Sequence, residues 1–264
     1  MIPMLRKAVW DLRGMTAWFA LGIALYTLAL ILYFPAVRNS LGEIRGMLEA
    51  NKALMQAFGV TDIGTFSGFL GSYVLNIMWP LAAGAFGVTA GTAIVAKEIQ
   101  SGTVEFWLSM PASRFELLGA KLIALTIAAL FVVGATVVAI VIGGLVVDET
   151  PNPVNLLAMA IVMTAFLLAI CGVSSFLSAI SNERGRAAGL AAGLLVASYL
   201  AWAIAGMNGG WSWLKNVSVF AAYDPQRALE SGAPSVLPLA ILFALAAVTG
   251  AAALLWFRRR DAIA

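Results

Sequence analysis

Apolar positions along this chain gather into six long charge-free runs, at about Thr16 to Phe34, Phe69 to Ala96, Leu122 to Val146, Leu156 to Ser181, Ala187 to Met207 and Val236 to Phe257. A helix needs ~20 such residues to cross the hydrocarbon core of a bilayer. The pattern therefore predicts an all-α membrane protein with six transmembrane helices in a single transmembrane domain, residues 1–264. An even number of crossings places both termini on one side. The first run follows Arg6, Lys7 and Arg13 in the manner of a signal peptide, but its apolar core of about 19 residues exceeds the ~7–15 of such a peptide. Five further runs follow it, so it reads as a retained helix.

Between the runs the pattern changes period. At the N-terminus Ile2, Leu5, Val9 and Leu12 share a helical face, while Lys7 and Asp11 sit one turn apart. This predicts an inner interfacial helix leading into the first span. From Ser40 to Phe58, Leu41, Ile44, Leu48, Met55 and Phe58 oppose Glu43, Glu49 and Lys52, as in an external helix on the membrane surface. A solvated helix packed on its neighbours would show the same pattern in both places. The most distinctive insert is Ala96 to Arg114, between the second and third runs. Residues about 98–110 read as a short helix along the membrane face, with Ile99, Val104 and Phe106 apolar and Glu98, Gln100, Thr103 and Glu105 polar. Pro111 stops it, Ser113-Arg114 begins the return, and Lys121 falls near the interface. On residue pattern alone this is equally a solvated connector or a docking element.

Smaller signals punctuate the spans. Pro80 removes a backbone donor and should bend the second span. Asp224-Pro225 reads as an N-cap followed by a first-turn proline, starting a short external helix that ends near Gly232. Gly185, Gly189 and Gly193 are spaced by four, as are Gly87 and Gly91. Lipid offers no hydrophobic drive for helix association, so such stripes mark close helix contacts, within one subunit or between two.

Composition narrows the class. The chain is 62% hydrophobic and 11% charged with mean hydropathy +0.95, against about 25% charged in soluble domains. A net charge of +3 and a pI near 9.2, spread along the sequence, do not suggest nucleic-acid binding. Of the 16 Lys and Arg residues, 11 fall on the side of the termini and the 97–121 insert. The basic bias makes that side cytoplasmic, in the inner (plasma) membrane. Asp148-Glu149 and Trp211-Ser212-Trp213 then lie outside, and Trp256-Phe257 anchors the last span ahead of Arg258, Arg259 and Arg260.

The same residues exclude much chemistry. With no histidine, Ser-His and Cys-His nucleophile pairs and His-ligated metal sites are absent. Cys171 is the single cysteine, so no intramolecular disulfide forms. No Asp, Glu, Lys or Arg lies in any run, which removes the usual groups of ion-coupled carriers and leaves Ser174-Ser175 without an activating partner. There is no Gly-x-x-x-x-Gly-Lys-Ser/Thr phosphate loop. A non-catalytic polytopic chain with neither ion nor nucleotide site, and no cofactor of its own, draws its energy from another subunit.

The string Glu98-x-x-x-Gly102-Thr103-x-Glu105-x-x-Leu108-x-x-Pro111-x-Ser113-Arg114, with Lys121 seven residues on, resembles the segment after span two in permease subunits of type-2 ABC transporters, the ABC-2 family. Phe106-Trp107-Leu108 stands where leucines are common. The span layout, amphipathic N-terminus and short helix before the last span extend the likeness over essentially the whole chain. The resemblance implies a dimer of two such permeases, identical or homologous, embedded in membrane lipids. Each would dock a cytosolic ATPase that binds ATP and Mg. By position the coupling helix is about 98–110. Its contacts would be Glu98 and Glu105 as acidic groups, Gly102 and Thr103 at the close approach, and Pro111, Ser113 and Arg114 at the turn into span three. The interior polar groups Asn76, Thr89, Thr92, Thr136, Thr164 and Ser198 are neutral, which fits export of a small hydrophobic or amphipathic compound. An accessory, non-transporting membrane subunit, for example in maturation of an extracytoplasmic metalloenzyme, is the alternative.

Overall fold

The computed structural model describes residues 2–40, 64–100, 113–207 and 209–259. Six helices among them are long and apolar enough to cross a membrane. They are α1 (Ile2–Asn39), α2 (Phe66–Thr92), α4 (Arg114–Val146), α5 (Pro153–Ile180), α6 (Arg184–Met207) and α8 (Val236–Arg259). Two short helices complete the set: α3 (Ala96–Gln100) after α2, and α7 (Pro225–Ser231) before α8. The predicted external helix at 40–58 lies outside the described residues.

Hydrocarbon cannot satisfy backbone N–H and C=O groups, so every spanning segment closes its own hydrogen bonds. Several helices run past the charge-free runs, among them α1, α4 and α6 at their N-termini. α1 joins the predicted interfacial segment and the first span in one 38-residue helix, about 57 Å at 1.5 Å per residue. That length exceeds a ~30 Å hydrocarbon core, so its Lys7 and Asp11 end projects beyond the apolar slab. α4 opens on a capping box. The Ser113 hydroxyl accepts from the Glu116 N–H at 3.2 Å, and the Glu116 carboxylate accepts the Ser113 N–H at 3.0 Å.

α2 departs from a regular helix. Leu70–Met78 forms nine residues of π-helix, and the Trp79 N–H donates to the Val74 carbonyl five residues back. Pro80 enters immediately after this stretch, at the start of the α-helical part Trp79–Thr92. A proline collides with the carbonyl of the preceding turn, and widening that turn relieves the contact. The bend expected at Pro80 thus takes the form of a change in helical register ahead of it. The widened segment buries Gly71 against α7, where a Cβ on Gly71 would lie 2.2 Å from Gln226 Cδ.

α5 is the central post, packed by α8, α2, α7, α6 and α4, while α1 runs along α4. Its face holds Met159, Phe166, Leu167 and Cys171, all nearly or fully inaccessible. Phe166 lies 4.3 Å from the ring of Tyr223 and 5.1 Å from that of Phe220. Tyr223 stacks on Trp79, whose indole N–H donates to the Thr136 hydroxyl of α4 at 2.9 Å. A single aromatic cluster therefore ties α2, α4, α5 and the 219–223 connector. Burial pushes the Tyr223 hydroxyl pKa well above its ordinary value.

The two glycine stripes separate. A Cβ on Gly91 would sit 2.6 Å from Ser174 Cβ and 3.0 Å from the Cys171 carbonyl of α5, and one on Gly87 would sit 2.9 Å from Ile170 Cγ2. Gly185, Gly189 and Gly193 meet nothing within 4 Å. Gly91→Val should accordingly cost about 1–3 kcal/mol by overpacking and lower the melting temperature of the purified subunit. Gly22→Val, where an added Cβ meets nothing within 4 Å, should leave that melting temperature close to wild type; differential scanning fluorimetry in detergent micelles checks the pair.

Candidate functional site

At one end of the bundle α1 and α4 and α6 begin while α2 and α5 finish. α2 stops at Thr92, three residues turn, and α3 starts at Ala96, so the expected continuation of the span to Ala96 is replaced by a break. Breaking a helix strands carbonyls and N–H groups that water would otherwise meet. Ser178 of α5 supplies both needs. Its hydroxyl donates to the Thr92 carbonyl at 2.8 Å and accepts from the N–H groups of Val95 at 3.2 Å and Ala96 at 2.9 Å.

Lys121 holds the same turn, and Arg184 holds the segments on either side of it. Lys121 of α4 donates to the Ile94 carbonyl at 2.9 Å and pairs with the Glu98 carboxylate. The side chains of that pair are only 13% and 21% exposed, so solvent screens their attraction less than that of a surface pair. The Arg184 N–H at the start of α6 donates to Gln100 Oε1 at 3.3 Å, and its guanidinium reaches the Thr89 carbonyl at 3.5 Å. The base of the 96–114 insert is therefore bolted to α4, α5 and α6 at once.

Of the residues singled out from sequence, Glu98 lies in α3, directed at Lys121, and Ser113 is the N-cap of α4. Arg114 is the first residue of α4. Gly102, Thr103, Glu105 and Pro111 lie outside the described residues, as does most of the segment expected at 98–110. Sequence reasoning missed Ser178 and Glu116. The Ser113-x-x-Glu116 spacing could have revealed the capping box. Nothing in the apolar run around Ser178 distinguishes it from Ser174 or Ser175, because its partners come from another helix.

Beside this turn opens a cavity of about 500 Å³ walled by α1, α2, α3, α4 and α6. Lys7, Asp11, Lys97, Glu98, Lys121 and Arg184 line it, over a floor that includes Leu12, Met15 and Ala90. Charges from α1, α3, α4 and α6 thus meet at one end. The opposite end carries its own polar set. Arg38 pairs with Glu149 at 3.2 Å, Asn76 donates to Gln226 at 3.2 Å, and Asn155 donates to the Leu229 carbonyl at 2.7 Å. Among the described residues, Arg38 and Arg227, which charge counting assigns to the other side, lie with this second set and not with Lys7, Lys97, Lys121 and Arg184.

The predicted cap of α7 is present. Asp224 Oδ1 accepts from the Arg227 N–H at 3.2 Å, and Gly232 closes the helix at φ 71°. Pro225, Gln226, Ala228 and Leu229 are buried, so α7 is wedged between α2 and α5. Among the described residues no group of His, Cys, Asp or Glu is arranged to hold a metal ion.

The sequence has a counterpart among known proteins: the family described as ABC-2 family transporter protein matches residues 15–262. The chain belongs to the ABC-2 transporter family. No curated protein matches its sequence. As an ABC-2 permease it is a membrane component of an ABC transporter, a class that is generally non-catalytic and works with an ATP-binding subunit.

The bracing of the turn is open to a double-mutant cycle. Lys121→Met leaves the Glu98 carboxylate half-buried without its cation, and should destabilise the permease by about 2–3 kcal/mol. Adding Glu98→Leu should restore most of that loss. Equal and additive losses from the two substitutions would show that the pair does not hold α3 to α4.

Proposed function

We propose that this ABC-2 permease exports a small hydrophobic or amphipathic compound, driven by a cytosolic ATPase that docks on the segment at about 98–110. The observation that carries this reading is the shared anchorage of α3. A push on a freely hinged connector would be lost in the hinge, whereas α3 is fastened to α4 through Lys121, to α5 through Ser178 and to α6 through Arg184 and Gln100. Displacement of the insert by an ATPase would therefore tilt three spans together. ATP and Mg reside on that partner. Glu105, Gly102, Thr103 and Pro111 form the docking surface, with Ser113 and Arg114 fixing the return into α4. Glu98 contributes by holding the base of the segment against Lys121.

The permease acts as a dimer, of two copies or with a homologous permease. Support comes from the α6 stripe: Gly185, Gly189 and Gly193 are open, flanked by exposed Leu190, Leu194 and Leu200. Small residues that permit close backbone approach, unused inside the subunit, suit a contact with a second one. The inner-membrane orientation, with cytoplasmic termini, rests on the basic bias together with the meeting of Lys7, Lys97, Lys121 and Arg184 at one end. An apolar cargo suits the interior. Thr92 and Thr136 turn their hydroxyls onto the carbonyls four residues back, and Ser198 is engaged by the Val219 N–H at 2.9 Å, so these three hydroxyls are already engaged within the protein.

The test is co-purification with the ATPase encoded beside the permease, followed by ATP hydrolysis in nanodiscs. Glu105→Lys, which leaves the Glu98–Lys121 pair intact, should weaken ATPase association about tenfold, roughly 1.4 kcal/mol. Glu98→Lys/Glu105→Lys should abolish it. A permease that never retains an ATPase, with or without nucleotide, would overturn the reading. An ATPase-bound complex whose deletion leaves efflux of every tested amphiphile unchanged would overturn export and leave the accessory role.

In the same preparation, Gly189→Ile should convert the dimer to monomer by multi-angle light scattering while the subunit stays folded. An unchanged dimer mass would exclude the α6 face.

A further inference from the structure

The cavity beside α3 contains more than the bracing of the turn requires. Four cationic side chains, Lys7, Lys97, Lys121 and Arg184, share it with two carboxylates, Asp11 and Glu98. The Lys121–Glu98 pair neutralises itself, and the remaining wall keeps a positive excess. Lys7, Asp11 and Lys97 are exposed at its mouth and Arg184 is half-buried, so the cations face a chamber open to solvent that an anionic group can enter. At about 500 Å³ the space is larger than a few waters fill.

A second hollow adjoins it. A groove of about 270 Å³ runs between α1 and α4, walled by Val9, Leu12, Ala17, Ile127 and Phe131, with Arg13 at its rim. Leu12 borders both spaces. Arg13 in turn lies 3.0 Å above the Trp10 ring, a cation-on-aromatic pair suited to the boundary between headgroups and acyl chains. A polar, net-positive chamber thus opens beside an apolar slot long enough for part of an acyl chain.

We infer that this pair of hollows is a binding site for an anionic phospholipid of the inner leaflet, its phosphate held by Lys97 and Arg184 and an acyl chain lying in the α1–α4 groove. Arg184 presents a planar guanidinium fork that matches phosphate oxygens, and Lys97 adds a mobile point charge. The lipid would occupy the wall that α3 shares with α1, beside the element proposed to receive the ATPase stroke. Bound there, it would brace the base of the insert from the membrane side. A soluble phosphate compound would meet the same cations but leave the apolar groove empty, which is why the lipid is the favoured source. The inference rests on the proposed cytoplasmic orientation of this end; it does not need the ATPase to dock.

The experiment uses the full-length permease alone in detergent, so that a failed ATPase interaction leaves the result readable. Phosphatidylglycerol, phosphatidylcholine of the same chains, and glycerol phosphate are titrated separately and followed by native mass spectrometry. Phosphatidylglycerol should bind roughly tenfold more tightly than phosphatidylcholine, and glycerol phosphate more weakly than the lipid. Lys97→Gln/Arg184→Gln should erase the preference, and the charge-keeping Lys97→Arg/Arg184→Lys should retain it. Lys215→Gln, at the other end of the bundle, should leave it unchanged. Equal binding of the two lipids, glycerol phosphate binding as tightly as phosphatidylglycerol, or an equal loss of preference in Lys215→Gln would each overturn the site.

Discussion

The turn that joins α2 to α3 depends first on one hydroxyl. A helix that breaks near a membrane boundary exposes backbone groups that hydrocarbon cannot serve, and α2 breaks between Thr92 and Ala96. Ser178 answers that break by donating to one carbonyl and accepting from two N–H groups. The break is therefore a fixed bend, and α3 leaves the bundle in a defined direction. Lys121 and Arg184 add to the same bend, Lys121 by donating to the Ile94 carbonyl and pairing with Glu98, Arg184 by reaching the Thr89 carbonyl.

The same logic repeats at the other end with different chemistry. There α2 loosens into a π-helix rather than breaking, and amide side chains replace the serine. Gln226 of α7 accepts from Asn76 and donates to Glu230 at 2.9 Å, while Asn155 takes the last carbonyls of α7. α2 is thus irregular at both of its ends, and each irregularity is paired with a short helix. The regular part between them packs Gly87 and Gly91 onto α5. A span with a rigid middle and two shaped ends suits a protein whose proposed task is to carry a displacement from one face of the membrane to the other.

Burial is distributed to match. α5 and α2 are mostly enclosed, whereas most of the α6 and α8 surface is not. In lipid this costs little, because an exposed Leu meets an environment as apolar as a core. The exposed faces of α6 and α8 are where neighbours, lipid or protein, have access. The cationic cavity is placed differently. It lies between helices, at the end where the positive residues converge, and its walls come from five separate elements.

Particular residues show what was legible beforehand. Asp224-Pro225 and Gly232 announced α7 because caps and first-turn prolines act within one turn of chain. The six spans were legible because crossing length is a local property. The burial of α7 between α2 and α5 was not, since Gln226 and Asn76 are 150 residues apart. Ser178 looked like Ser174 and Ser175, whose neighbours in sequence are alike. Lys121 was placed near the interface, but its pairing with Glu98 depends on how α4 returns beside α3.

The sequence by itself determined the class, the number of crossings, the capped short helix and the absence of histidine, because each follows from composition or from contacts within a few residues. Only the tertiary structure decided which of two identical glycine spacings is an internal seam and which is open. A spacing of four states that backbones can approach, and which backbone arrives is settled by packing over the whole chain. The fixed bend at Thr92 and the gathering of four cations around one cavity were likewise decided by the tertiary structure, since both join groups that the chain holds far apart.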